Sequence, residues 1–511
     1  MKNRQILNIV NFIRAVEPRA KIDLLEPVVQ QIRLMKEHRL RGTFLIQYDA
    51  LLLPEYTDLL KSLDPAQFEI GVWFEIVQPQ AEAAGLTWTG RFPWDWHAHC
   101  GFSVGYTKRE REALVDVLFE KFREVFGDYP RVFGSWFFDS HTARYVAGKY
   151  PLDAMCNCKE QYGTDGYTLW GGYYGQGYYP SRTNVFMPAQ TAKEQISVPI
   201  FRMLGSDPVY QYDYGMSVQT GAPARQGVIT LEPVCGAPGG GQAEWVDWYL
   251  KENFNGECLS FGYAQAGQEN SFGWPRMGSA LQKQFERFDA LQKEGKIVVE
   301  PLGETGRFFK KEYPETPASV ISAHSAFDDD GISSVWYSCK NYRVNLYCEH
   351  GKLRLRDLHV FCERFPDPFE DAVCEANEAT YETLPVIDGN RHSGNGVRAG
   401  GYLLPEGNAA PLQFTDLGGG AARADYGTYQ IILRPDGILI RSERDFTLEA
   451  RVGQSGNHLP DVVRRDARTV ALNYRGTRYA LSLEKGSFAG ESAARSEDGE
   501  LHILIRNHLH S

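Results

Sequence analysis

The sequence lacks the features that would place it in a membrane, on a nucleic acid or around a nucleotide. No apolar run approaches the about 18–20 residues needed to cross a bilayer. The first residues, MKNRQILNIVNFIRAVEPR, are interrupted by Arg14 and Glu17 too soon for a secretory leader. Positive charge is scarce: 54 Lys and Arg face 65 Asp and Glu, a net charge of -11 with no basic stripe, which argues against a nucleic-acid partner. The nine cysteines are odd in number and scattered. Cys156 and Cys158 form a C-x-C pair without the second pair a four-thiolate zinc site needs, so free thiols in a reducing cytoplasm are expected. The glycine-rich loop GAPGGGQAEW (236–245) has no Lys-Ser/Thr to cradle a phosphate. No cofactor is expected.

What is abundant is aromatic. Phe, Trp and Tyr make up 13% of a chain whose 43% hydrophobic and 23% charged residues are ordinary for a globular protein. At 511 residues the chain is too long for one core. Residues 1–316 alternate short apolar runs with amphipathic stretches: ILNIVNFI, then IDLLEPVVQQIRLMKEH; GTFLIQYDAL, then YTDLLKSL; FEIGVWFEIV, then REREALVDVLFEKFREVFG; RVFGSWFFD, then HTARYVAGKY; DAMCNCKEQ; and later VPIFRML, GVITLEPV and CLSFGYAQ. Repeated strand–helix units predict a parallel sheet, here an α/β class (β/α) barrel, distorted and of seven or eight strands, with an open doubly wound sheet as the alternative. After the linker-like EYPETPAS (312–319) the helical period disappears. TYQIILRPDGILIRSE and TVALNYRGTRYALSLE read as hairpins, so residues 317–511 are expected to form an all-β sandwich domain. That domain could rim a cleft or support a homo-oligomer. SAFDDDGIS (325–333) reads as an acidic surface turn, with a calcium loop as the other reading.

In such barrels chemistry sits at the carboxyl ends of the strands. Reading those ends in turn gives Arg14 and Glu17, Gln47 and Asp49, Glu75, Asp139, Glu160 and Glu269, with Asp207 and Asp213 in a loop between. Converging carboxylates suit glycosidic bond cleavage: one protonates the leaving oxygen, the other attacks the anomeric carbon or activates water. Asp139 and Glu269 form the favoured catalytic pair, with Glu75 and Glu160 as further catalytic candidates. Asp139 also opens D-S-H-T, so it reads equally as a helix N-cap. Glu75 lies in an apolar context that would raise its pKa. Residues 162–186, YGTDGYTLWGGYYGQGYYPSRTNVF, hold eight aromatics and six glycines. Aromatic faces stack on sugar rings and glycines admit close backbone approach. Trp170, Tyr173 and Asp165 there, with Arg14, Asp49, Trp136, His141, Asp207 and Trp274, are therefore expected to bind substrate, unless the loop simply packs on its own aromatics.

The element order resembles the glycoside hydrolase/deacetylase superfamily over residues 5 to 160. GTFLIQYD looks like the Ala-Thr-Phe-Phe strand of the polysaccharide deacetylases, and FEIGVWFEIV looks like their His-Glu-Ile-Gly-x-His-x-x-x-His strand. The metal triad of those enzymes is missing: the first strand reads NFIRAV, and Trp73 and Val77 stand where two histidines would be. What remains resembles the glycosidase branch, families 38 and 57. There, by strand count, the resemblance would make Asp139 the nucleophile and Glu269 the acid. WDWH, GTDGYTLWGGY and GQENSFGW are also similar to a bacterial group of glycosyl hydrolases with a barrel and a β-domain. The resemblance implies a carbohydrate substrate without naming it.

Three functions therefore compete: a metal-independent glycosidase, a non-catalytic carbohydrate-binding protein, and a metal-dependent deacetylase or hydrolase. The last rests on FPWDWHAHCGFSVGY (92–106), where Asp95, His97 and His99 alternate and would share one face of an extended segment. With no first-strand ligand to support a metal, this stretch is read as a sugar-binding wall in which Trp94 and Trp96 stack and Asp95 and His97 bond hydroxyls. His99 is equally well explained as a structural hydrogen-bonder.

Overall fold

The computed structural model describes residues 4–215, 225–406, 412–453 and 456–506. Eleven strands belong to the first 300 residues: β1 Gln5–Ile13, β2 Gly42–Ile46, β3 Phe68–Trp73, β4 Val132–Gly134, β5 Ala154–Asn157, β6 Gln161–Thr164, β7 Tyr167–Trp170, β8 Gly177–Tyr178, β9 Ile200–Arg202, β10 Gly262–Ala266 and β11 Val298–Val299. A curled sheet runs in the order β10-β1-β2-β3-β4-β5-β9-β8, with β11 beside β1. The neighbours from β10 through β9 all pair in parallel, and only β8 is antiparallel. The sheet is covered on both faces, and β1, β2 and β5 are buried almost end to end, as near-continuous apolar runs require in a parallel sheet. Asn8, buried in β1, donates through its amide nitrogen to the Glu300 carbonyl and to the Thr305 hydroxyl, both at 2.8 Å.

The crossover helices follow their sequence signals. Lys108–Phe126 begins with a reciprocal capping box between Thr107 and Glu110, and stops at Gly127 (φ 90°), a left-handed conformation glycine adopts without a Cβ penalty. Ser140–Lys149 is capped by Asp139, and the twenty-residue helix Trp274–Lys293 carries Pro275 in its first turn. One expected strand is absent: GVITLEPV makes only an isolated bridge from Thr230 to Ser206. Pro233 and the glycine-rich turn that follows, which carries Pro238, end pairing after a single residue.

Among the described residues beyond 318, strands are the only regular elements. β12 Ser319–Ala323, β13 Ile332–Ser338, β14 Tyr342–Glu349, β15 Lys352–Val360, β16 Ala379–Glu382 and β17 Leu384–Asp388 come first. β12 to β15 and β17 belong to a nine-stranded sheet completed by Gly400–Leu404, Thr447–Arg451, Ser487–Ala489 and Ala493–Arg495, and the other eight later strands form a second sheet. The glycine- and aromatic-rich stretch after β5 is a hairpin, β6–β7, whose outer strand pairs in parallel with β16. The first half of the chain is thus stitched to the second: Trp170 donates to Asp388 (2.8 Å), and Arg343 contacts the Gly172 carbonyl (3.1 Å).

Candidate active site

A cavity of about 570 Å³ opens at the carboxyl end of the parallel strands, a size within the range of small-molecule sites. Arg14, itself buried, is one of the residues that line it. It follows β1 directly, and its backbone is locked by Asn270, which accepts from its N–H (3.0 Å) and donates to its carbonyl (2.8 Å). The Arg14 guanidinium stacks on Trp94, 4.0 Å from the ring centroid. Its Nη2 meets two carboxylates, Glu269 in a close contact and Glu75 at 3.5 Å, while Nη1 lies 3.9 Å from Glu17. Glu75 stands two residues past β3, and Glu269 three past β10, so strand termini bring together residues 194 apart in sequence.

Glu75 is 1% exposed. Burial raises its pKa above the usual carboxyl range; Arg14 and the Trp73 indole N–H (2.8 Å) only partly oppose this, and the charge of Glu269 adds to it. A third carboxyl, Glu232, lines the same cavity from the GVITLEPV segment, bonded by Thr230 (3.0 Å) and Gln268 (3.3 Å). Burial and Glu269 raise its pKa, against the pull of Lys159. Glu17 is held by Arg19 (2.7 Å), which itself lies over Trp94 and Trp96. The walls are aromatic: Trp94, Trp96, Phe102, Trp136, Tyr167 and Phe272. Asp165 (φ 57°) and Leu204 (φ 64°), two lining residues, sit in left-handed backbone that non-glycine residues rarely adopt.

The sequence-derived candidates divide sharply. Arg14, Glu75, Glu269, Trp94, Trp96, Trp136 and Asp165 line the cavity; Asp139, Glu160, Asp49, Asp95, His97, His141, Trp170, Tyr173, Asp207 and Trp274 do not. Asp139 is fully buried, caps its helix through Thr142 (2.9 and 2.7 Å) and pairs with Arg111 (2.9 Å), so its N-cap reading replaces its catalytic one. Glu160 turns away to Arg343 (2.7 Å) and the Gly171 N–H. Asp49 sits beneath Arg14, accepting from the Ala15 N–H (3.0 Å); burial lifts its pKa to about 6. Asp207, also lifted to about 6 by burial, accepts from the N–H groups of Val209 and Tyr210 at 2.7 Å. His141 faces Glu112 on the outer helices (2.9 Å). Trp170 and Tyr173 are buried against the C-terminal strands, Tyr173 donating to the Pro317 carbonyl (2.7 Å). Trp274 begins its helix, half-buried, and its neighbours Phe272 and Arg276 reach the cavity instead.

The stretch around Asp95 is not extended throughout. Residues Ala98–Gly101 form a helical turn, which takes His99 off the face it would share with Asp95. Asp95 is fully buried and gives both oxygens to Arg91, each at 2.8 Å. Burial would raise its pKa, but the Arg91 bonds outweigh it and hold the group at about 2. The carboxylate a metal would need is therefore already engaged. Among the described residues no group of three or more His, Cys, Asp or Glu is arranged to hold an ion.

Residues passed over in the sequence also face the cavity. Glu232 lies inside a segment whose pattern is that of a strand, Lys159 directly precedes Glu160, and Cys158 belongs to the C-x-C pair. The prolines on either side of the Glu232 segment were the available signal that it is a loop.

No protein-family model and no curated protein sequence matches the chain. Among solved structures it is similar to a candidate glycoside hydrolase/deacetylase from Parabacteroides distasonis, with a TM-score of 0.52 at 16% identity over 75% of this chain and 90% of that one. A candidate polysaccharide deacetylase from Mycobacterium smegmatis follows (TM-score 0.37, 13% identity, 61% and 92% covered). A GH57-type branching enzyme from Pyrococcus horikoshii aligns more loosely (TM-score 0.30, 11% identity, 61% and 71% covered). No helix among the described residues is long and apolar enough to cross a membrane. The likeness is one of fold, shared with the Parabacteroides distasonis structure over 75% of this chain.

Proposed function

We propose that the protein is a glycoside hydrolase working without a metal, with Glu269 as nucleophile and Glu75 as general acid/base. The observation that carries this reading is that both carboxylates reach one nitrogen of Arg14 within an aromatic-walled cavity. A shared nitrogen keeps the two oxygens within about 6 Å, nearer the spacing of about 5–5.5 Å for double displacement than the 6.5–9.5 Å for inversion. Glu269 attacks the anomeric carbon as the glycosidic C–O bond breaks, and Glu75 gives its proton to the leaving oxygen. Water then attacks the glycosyl ester, Glu75 takes back the proton, and Glu269 is released. The raised pKa of Glu75 keeps its acid form available toward neutral pH.

The same proposal extends to the architecture: residues 1–316 as a catalytic barrel of seven or eight strands and residues 317–511 as a β-sandwich closing its side, in a cytoplasmic enzyme. The test is turnover of a panel of 4-nitrophenyl glycosides. Glu75→Gln and Glu269→Gln should each lower kcat by about 10²–10⁴-fold or more, and chelator should leave the wild type unchanged. Azide should restore turnover to one of the two variants as a glycosyl azide. Near-normal turnover in both variants would remove these residues from the chemistry. Sugar binding without turnover across the panel would make the cavity a carbohydrate-binding site only.

A further inference from the structure

Resting on that reading, we infer that the sugar in this cavity carries a negative charge and that Lys159 is the residue that receives it. Lys159 follows β5, lines the cavity and is 3% exposed. Its ammonium donates to one main-chain carbonyl, that of Glu160 at 3.3 Å. Among the described residues no carboxylate comes within the 4.0 Å of an ion pair. Glu232 and Asp165 face it and their charge is felt there, but Glu232 is bonded by Thr230 and Gln268, and Asp165 lies 3.9 Å from Arg225.

Buried charges in proteins are paired, because an unpaired one forfeits its hydration with nothing in return. Three buried arginines follow that rule, Arg111, Arg343 and Arg391, each meeting a carboxylate, whereas Arg202, away from this cavity, rests on the Phe186 ring with no ion pair among the described residues. Lys159 departs from the rule at the wall of a cavity, where a ligand could supply the missing counter-charge. A second donor lines the same cavity: Nη1 of Arg14 is buried without a hydrogen bond, its nearest carboxylate being Glu17 at 3.9 Å. The acidic surface of the whole chain says nothing against this, since the field inside a cleft is set by its own lining. The shared chemistry is a sugar with an anionic substituent, a uronic-acid carboxylate or a sulfate ester.

The experiment is calorimetric binding to Glu269→Gln, so that it reads the site whether or not hydrolysis occurs. The probes are glucuronic acid, glucose 6-sulfate and glucose, each measured with Lys159 intact, as Lys159→Met and as Lys159→Arg. An anionic probe should bind about tenfold or more tighter than glucose. Lys159→Met should abolish that preference without weakening glucose binding, and Lys159→Arg should keep part of it. Preference for glucuronic acid or for the sulfate identifies the source of the charge. Equal binding of all three probes, or a preference that survives Lys159→Met, overturns the assignment. Thermal melting guards against misfolding, since Met in place of an unpaired buried ammonium should hold or raise Tm. Should glycosidase turnover fail while the charge preference stands, only the proposed chemistry falls.

Discussion

The replacement Asp139→Asn separates the two uses that the sequence allowed for this residue. Asparagine caps helices as well as aspartate, so the bond from the Thr142 N–H is kept, and the Thr142 hydroxyl can turn to accept from the new amide. What is lost is the charge opposite Arg111. That guanidinium is 1% exposed, and its other bonds go to the carbonyls of Ser103, Tyr106, Phe369 and Ala372 at 2.7–3.0 Å, which carry no compensating charge. Removing one partner of such a buried pair costs about 3–5 kcal/mol. With an unfolding entropy of about 2.1 cal/mol/K per residue, that lowers Tm by about 3–5 °C if the whole chain melts together, and by more if a smaller unit melts first. The assay is calorimetric melting beside kcat on the most active glycoside. The expected result is a lower Tm with kcat within about threefold of wild type below the transition. Arg111→Met combined with Asp139→Asn should recover part of the loss. An unchanged Tm with kcat down by orders of magnitude would refute the argument and return Asp139 to the reacting centre.

Arg14→Met should cut kcat and also move the pH profile. Arg14 opposes the rise that burial gives Glu75, so its loss lifts the Glu75 pKa further and shifts the alkaline limb of the rate profile upward; an unmoved limb counts against Glu75 as the acid. Trp170→Phe removes the 2.8 Å bond to Asp388 and should cost about 1.5–3 kcal/mol in denaturant unfolding while leaving sugar affinity unchanged; weakened binding at full stability would restore Trp170 to the substrate site. Burial and the nearby Arg391 depress the His458 pKa to about 4, below the about 6.5 of an unfolded histidine. Its stabilising contribution is therefore full above pH 6.5 and lost as pH falls toward 4. His458→Gln should flatten the urea midpoint against pH in that window, and an unaltered slope would discount it.

Local sequence carried much of the fold because its signals are local. The largely apolar runs of β1 and β2, the helical period of REREALVDVLFEKFREVFG and the Asp436-Gly437 turn each depend on a few neighbouring residues, and each is found where the pattern puts it. The site was legible only as far as the strand ends were: Arg14, Glu75 and Glu269 each follow a recognisable strand and reach the cavity. Asp139 and Glu160 follow strands too, yet turn to Arg111 and Arg343. Whether a carboxylate serves a substrate or a buried arginine is decided by which guanidinium lies opposite. Arg343 belongs to β14, 183 residues beyond Glu160, and no periodicity encodes that meeting. The aromatic hairpin after β5 makes the same point. Its composition suits a sugar, but pairing with β16 places Trp170 and Tyr173 inside the molecule. Sequence alone determined most of the strands and helices, GVITLEPV excepted, and which ends could bear chemistry. The tertiary structure alone decided which polar side chains were left facing the cavity, because burial and ion pairing are settled between residues that are distant along the chain.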